Sequence, residues 1–410
     1  MSNAPSLRRG ARVLALAASL AVAGVQAQDA KDSSLRTEVA KPLQAAQELI
    51  KAGKAADALA KVREAEAVAN RTAFEVFTIE RMKGSAAMAA GDSATALKAF
   101  TAVVEAGRLP PADQLAVLQA MAAMAVRAGD HATAVTSARR YFKEGGEASS
   151  VRVALVQALF AQGDLPGTQR ELLPLILADE AAGKAPSEEQ LKLLGHCQIK
   201  QNDEAGYAQT LERLVTHHPK AGYWADLLTR LQRKPGFADR LLLDVFRLMR
   251  QTGTLEDAAE YMDMAQLALL AGLPGEAREV VEEGYGKAVL GKGTGSERHQ
   301  RMRDNARKLA ADDQAQLAAS ETQALAAKDG GQLVALGQAV QGYGQADKGL
   351  ALMAQGLAKG VQRHPDDARL HVGVSLLRAG QRDKALEMLR SLQAADGSAD
   401  LARLWPLALR

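Results

Sequence analysis

Eight short turns recur along the chain at nearly constant spacing, and this period restricts the fold more than any other feature. They centre on Gly53, Gly91, Gly129, Gly163, Asn202, Gly272, Gly344 and Gly380. Neighbouring turns lie 34 to 39 residues apart, except across two gaps of 70 and 72 residues that correspond to doubled periods. A unit of about 36 residues matches a helix–turn–helix repeat. Glycine, or Asn202, ends the first helix by adopting the left-handed backbone that side chains disfavour. Asp92, Asp130 and Asp164 follow three of the turns, where a carboxylate can cap the first amides of the second helix. Five positions after the turn stands a small residue in most copies: Ala58, Ala96, Ala134, Ala277, Gly349 and Ala385. Thr168 and Tyr207 break this rule, which predicts looser packing in those two copies.

Composition agrees with helices. Apolar residues make up 47% of the 410, enough for a core, but aromatics only 4%, too few to anchor a β-sandwich or barrel. Alanine, leucine, glutamine, lysine and glutamate dominate, all strong helix formers. Apolar runs with period-2 alternation are nearly absent.

The start of the chain reads differently from the rest. Arg8, Arg9 and Arg12 precede an apolar run from Val13 to Val25, and Val25-Gln26-Ala27 supplies a small-residue cleavage site. This is the pattern of a secretory signal, residues 1–27, with the mature chain starting at Gln28. The run is shorter than the roughly 18–20 residues that span a bilayer. Arg8-Arg9 hints at twin-arginine export, although the remaining pattern fits the general secretory route better. No cysteine lies near the cleavage site to carry a lipid.

Removing that segment neutralises the protein. The chain has 51 Lys+Arg against 48 Asp+Glu. Three arginines leave with the signal, so the expected mature chain is balanced and its composition implies no nucleic-acid partner. Cys197 is the sole cysteine and cannot form an internal disulfide. A bacterial periplasm is the compartment these features suggest.

With the turns in place, the chain resembles the tetratricopeptide-repeat family over most of residues 36–396. That family carries a small residue seven positions before the turn, where Gly84, Ala122, Gly195, Ala265, Gly337 and Gly373 stand. A large apolar residue follows the second-helix small position by four: Phe100, Leu172, Leu211, Val281, Met353 and Leu389. Pro219 closes one copy, and Tyr223-Trp224-x-x-Leu227 with a turn at Lys234-Pro235-Gly236 fills the first doubled gap. The resemblance implies an all-α fold, a right-handed α-solenoid of helix–turn–helix repeats. The second doubled gap is irregular: a glycine-rich connection from Gly284, then a long polar helix over about 296–327, expected along the solenoid edge. The resulting organisation is 28–283 for the N-terminal repeats, 284–328 for loop and polar helix, and 329–410 for the C-terminal repeats. Leu401 to Pro406 reads as a segment capping the last repeat.

Catalytic and metal-binding patterns are missing. Gly286-x-x-x-x-Gly291-Lys292 approaches a phosphate loop, but Gly293 stands where Ser or Thr should bind the metal. The seven histidines form no zinc-binding helix pair; His364 and His371 lie seven apart with Pro365 between them. Cys197 reads as a packed residue and His196, next to it, points elsewhere. No cofactor, no metal and no enzymatic role are expected.

Function would then lie on the first helices, which line the concave face of such solenoids. The family's geometry places a partner groove one, four and five residues after the small first-helix residue and three before it. That implies Arg81, Ser85, Met88, Gln119, Arg127, Gln157, Phe160, His196, Lys200, Gln266, Gln338, Gln341 and Arg378. Over longer segments, Lys41–Gln47, Arg233–Leu241 and Tyr261–Gln266, the chain is similar to proteobacterial periplasmic tetratricopeptide proteins. Members of that group are often associated with TonB-type systems for outer-membrane transport. The implied role is a protein–protein scaffold or adaptor in the envelope, with a protein or peptide partner, no nucleic acid and no membrane segment after cleavage. The alternative is an accessory protein that handles peptides or polysaccharides, the sugar case being disfavoured by the scarcity of aromatics.

Overall fold

A computed structural model of the chain describes residues 34–410. The expected signal segment 1–27 and the start at Gln28 lie outside the described residues. All regular elements among the described residues are helical, and they form two compact units that divide after Gly163.

The first unit contains α1 (Thr37–Lys51), α2 (Ala55–Glu66), α3 (Ala73–Ala90), α4 (Ser93–Glu105), α5 (Pro111–Ala128), α6 (His131–Lys143) and α7 (Ser149–Ala161). Consecutive helices pack as pairs, and first helices also meet their successors, α1 against α3 and α5 against α7. The second unit contains α8 (Leu165–Ala181), α9 (Glu188–Lys200), α10 (Glu204–His217), α11 (Ala221–Gln232), α12 (Leu242–Thr252), α13 (Ala258–Leu270) and α14 (Pro274–Gly286). It continues through α15 (Ser296–Ala326), α16 (Gly331–Gln341), α17 (Ala346–Lys359), α18 (Pro365–Arg378), α19 (Arg382–Arg390) and α20 (Ser398–Ala408). The architecture is an α-solenoid of stacked helix pairs.

The turns form for the reason read from the sequence. All eight turn residues have positive φ, between 56° at Asn202 and 78° at Gly344. Asp92, Asp130 and Asp164 each accept the backbone N–H three residues on, and Asp203 does the same for Gly206. Ala58, Ala96, Ala134, Ala277 and Ala385 are fully buried. Where the first helix carries glycine, the second helix places a large side chain against it: Phe100 at Gly84, Tyr207 at Gly195, Met353 at Gly337 and Leu389 at Gly373. A Cβ on Gly84 would stand 2.6 Å from the Phe100 ring, so no other residue lets these helices come so close.

The copies with Thr168 and Tyr207 do not show the expected loosening. Thr168 is fully buried, because its hydroxyl donates to the Asp164 carbonyl at 2.7 Å and leaves only its methyl to pack. The Tyr207 ring lies against Gly195, where a Cβ would meet it at 2.8 Å, and its hydroxyl reaches Asp226 at 2.7 Å. Bulk on one helix is matched by its absence on the other.

Two parts of the second unit depart from the expectation. The connection begins later, since α14 runs through Gly284 and Gly286. The long polar helix α15 is not an edge element; it packs on α13, α14 and α16. Small side chains make this possible, with Ala306 and Ala310 fully buried and Ala324 nearly so. The Tyr343 hydroxyl donates to Asp313 at 2.6 Å and lies 3.2 Å from the Ala310 carbonyl.

The C-terminal helix does more than cap. It packs on α18 and α19 but also on α10 and α12, so the second unit closes on itself. Lys234 pairs with Asp400 at 2.6 Å, Arg403 with Glu212 at 3.1 Å, and Arg240 with both Asp367 and Asp396. The Ala238 amide donates to the Asp396 carbonyl at 2.9 Å, and Arg410 donates to the Thr216 carbonyl at 2.6 Å. Trp405, fully buried, is drawn into the interior of this closed unit.

Candidate functional site

Closure leaves a cavity of about 110 Å³ inside the second unit, lined from α12, α13, α14, α16, α18 and α20. Helix α12 supplies Asp244, Arg247 and Arg250, whose three-residue steps bring their side chains towards one side. Asp244 is buried and has 6% side-chain exposure; Arg247 has 11%. Charges this far from water persist only when paired and hydrogen-bonded.

The pairing forms a closed circuit. Arg247 donates to Asp244 at 2.8 Å and to Gln338 at 3.3 Å. The Gln338 amide meets His371 Nδ1 at 2.8 Å, and His371 Nε2 lies 3.1 Å from both Asp244 oxygens. Gln338 Oε1 accepts from Arg247, so the amide nitrogen of the same side chain faces His371 Nδ1, and His371 Nε2–H donates to Asp244. Arg247 also holds Glu276 through two parallel bonds, 2.7 and 2.6 Å. One network thus ties together α12, α14, α16 and α18.

The network sets the local ionisation. Burial by itself would raise the Asp244 pKa, but His371 and Arg247 outweigh it and hold the carboxyl well below its ordinary range. Burial likewise opposes ionised Glu276 and is overcome by Arg247. Glu279 lacks such a partner and burial carries its pKa upward, although Arg250 lies 3.8 Å away. Arg250 is held mainly by Glu283 at 2.6 Å.

Arg378 differs from the other two arginines. It is solvent-exposed at the cavity mouth and makes no ion pair among the described residues. Its guanidinium lies 5.2 Å from the Trp405 ring centroid. The surrounding protein, and then Arg247, push its pKa below the usual arginine value.

The thirteen sequence-derived groove positions fall into both units. In the first, Arg81, Ser85 and Met88 lie on α3, Gln119 and Arg127 on α5, and Gln157 and Phe160 on α7. Arg81 reaches Asp113 at 3.8 Å, Gln119 donates to Ser150 at 3.3 Å, and Ser85 donates back to the Arg81 carbonyl at 3.0 Å. In the second, His196 and Lys200 are exposed on α9 and Gln266 on α13. Only Gln338, Gln341 and Arg378 line the cavity. The sequence reading missed Asp244, Arg247, Arg250, Glu276 and Glu279, considered His371 only as a metal ligand, and took the Trp405 segment for a cap. The available signal was Asp244-x-x-Arg247-x-x-Arg250, a charged stripe in an otherwise apolar helix.

No described group of three His, Cys, Asp or Glu could hold a metal ion. Cys197 is fully buried and burial pushes its thiol pKa up, so it is a poor nucleophile. Among the described residues, no helix is long and apolar enough to cross a membrane.

Comparison with known proteins gives one family match: a Tetratricopeptide repeat, over residues 367–396, the segment of α18, the Gly380 turn and α19. No curated protein matches the chain. Solved structures it is similar to include a tetratricopeptide repeat protein from Parabacteroides merdae, 9% identical, covering 83% of this chain and 100% of that one with a TM-score of 0.31. Another is Naa15/Naa10 bound to HypK-THB, 14% identical, covering 89% of this chain and 65% of that one, TM-score 0.31. A third is the P58(IPK) TPR domain, 13% identical, covering 91% and 98%, TM-score 0.22. Likenesses this shallow identify no shared function. The family match supports a tetratricopeptide-repeat protein, a kind of module that serves as an interaction scaffold.

Proposed function

We propose that the chain is a non-enzymatic scaffold that binds protein partners through the first-helix face of residues 34–163, and that it serves as an adaptor in the bacterial envelope, accessory to TonB-type transport. The observation that supports the binding role most directly is the composition of that face. Met88 on α3 and Val153 on α7 are 37% and 38% exposed, among polar side chains that already bridge neighbouring first helices. Val153, Gln157 and Phe160 follow one another at helical spacing along one side of α7. Exposed apolar side chains set among satisfied polar groups are what an interface core with a polar rim requires. The envelope assignment rests on the N-terminal secretory pattern and on the three resembling segments.

The test is a crosslinking pull-down of the tagged chain from its native envelope, with mass spectrometry of the captured proteins. Enrichment of inner-membrane transport or TonB-type components, lost in a Met88→Glu/Val153→Glu double variant, is the expected result. Capture unchanged by the double variant would reject the binding face, and recovery of nothing above background would reject the adaptor role.

A further inference from the structure

We propose that the cavity of the second unit binds a short-chain carboxylate, a free monoanionic acid of about two to four carbons, with its carboxylate on Arg378 and its carbon tail towards Val374. This inference is independent of the scaffold reading.

Charge accounting supports it first. Arg247 is matched by Asp244 and Glu276, and Arg250 by Glu283 with Glu279 nearby. Arg378 is the cavity arginine without an ion pair among the described residues; Arg247 and Arg250 repel it, Glu276 and Asp244 attract it from beyond ion-pair distance, and burial is what most disfavours its charge. Its guanidinium lies over the face of Trp405, which attracts the cation but does not use the N–H donors of the fork. An anion at that point supplies the missing close counter-charge and accepts from the fork.

A second unmatched donor is buried beside Arg378. Trp405 is fully buried and its indole Nε1 has no hydrogen-bond partner, a state that costs free energy unless something fills it. The Ser375 hydroxyl donates to the Gln341 carbonyl oxygen at 3.1 Å, which turns the carbonyl end of that amide away from service to a ligand. Donors are therefore in surplus where Arg378 and Trp405 meet.

Size and charge restrict the ligand. About 110 Å³ is less than the roughly 150 Å³ known to admit benzene, so the occupant has only a few heavy atoms. With Asp244 and Glu276 matched by Arg247, the single unmatched cation Arg378 balances one negative charge, and the second charge of a dianion would have no partner beside Glu279. Val374 gives the tail an apolar contact, which a simple inorganic ion would not use.

The experiment uses the full chain with Trp224→Phe, so that Trp405 is the remaining indole. Acetate, propionate and butyrate are titrated at constant ionic strength while fluorescence and thermal midpoint are followed. Propionate should bind saturably and raise the midpoint, whereas propionamide, its neutral near-isostere, and chloride should do neither. Arg378→Gln should weaken propionate binding at least tenfold with the circular dichroism unchanged, because Arg378 is exposed and makes no ion pair. An equal response to propionamide or chloride overturns the proposal, as does undiminished binding to Arg378→Gln. Should that variant not fold, the propionate–propionamide comparison on the parent chain decides alone.

Discussion

Arg247 and Asp244 concentrate the strictest requirements on single residues. Removing one member of a buried pair leaves the other desolvated and unmatched, which costs about 3–5 kcal/mol. Asp244→Asn keeps the shape but withdraws the charge that Arg247 and His371 share. Urea unfolding of the full chain should show a loss of about 3 kcal/mol or more, and a loss below about 1 kcal/mol would mean that the circuit contributes little. Gly84 makes a different demand. Its missing Cβ admits the Phe100 ring, so Gly84→Ala should cost about 1–3 kcal/mol by overpacking, measured in the same way. Residue by residue, Gln338, Gln341 and Arg378 were legible because they follow the first-helix rule. Asp244 was not, because α12 follows the Lys234-Pro235-Gly236 turn and so lies outside the first helices that the groove rule covers. Glu276 was missed for a related reason: it sits on a second helix, and the groove rule counts only first helices.

At the scale of elements, the repeat consists of a helix ended by left-handed backbone and a second helix started by a side-chain cap. The capping boxes at Thr72, Ser187 and Asp257 apply the same physics at other helix starts. Helix α15 is the element that sequence reading placed least well. Its polarity suggested an edge position, yet alanines let a largely polar helix pack between neighbours on a narrow strip. Ala310→Leu should therefore destabilise the second unit by about 1–3 kcal/mol, since the strip has no room for a larger side chain. Loss of the Tyr343–Asp313 contact should accompany it, visible as a change in tyrosine near-ultraviolet dichroism. An unchanged melting curve would show α15 to be loosely held after all. Hydrophobic periodicity reports how much apolar surface a helix has, and here the decisive quantity was how small its side chains are.

For the molecule, closure of the second unit carries a pH dependence. Burial opposes the charged Asp396 carboxyl, but its bonds from Ser398 and Arg240 prevail and lower its pKa to about 2. A carboxyl depressed in the folded state stabilises fully above its unfolded pKa of about 4, and that contribution is lost as pH falls towards 2. The contact between the 234–240 segment and the C-terminal segment should thus weaken between about pH 4 and pH 2, with cleavage near residues 391–397 in limited acid proteolysis. Asp396→Asn should make the cleavage less dependent on pH; an identical pH profile would assign the acid sensitivity elsewhere. The sequence by itself determined what local physics controls: the all-helical class, the turn positions, the small-residue contacts and the span of the long polar helix. These follow from backbone preference and side-chain size within some 36 residues. Tertiary structure alone decided that α20 returns to α10 and α12, and that Asp244 meets His371 across 127 positions of chain. A repeat period specifies how each pair stacks on the next. Whether the stack closes depends on small angles summed over many pairs, and no single residue records that sum.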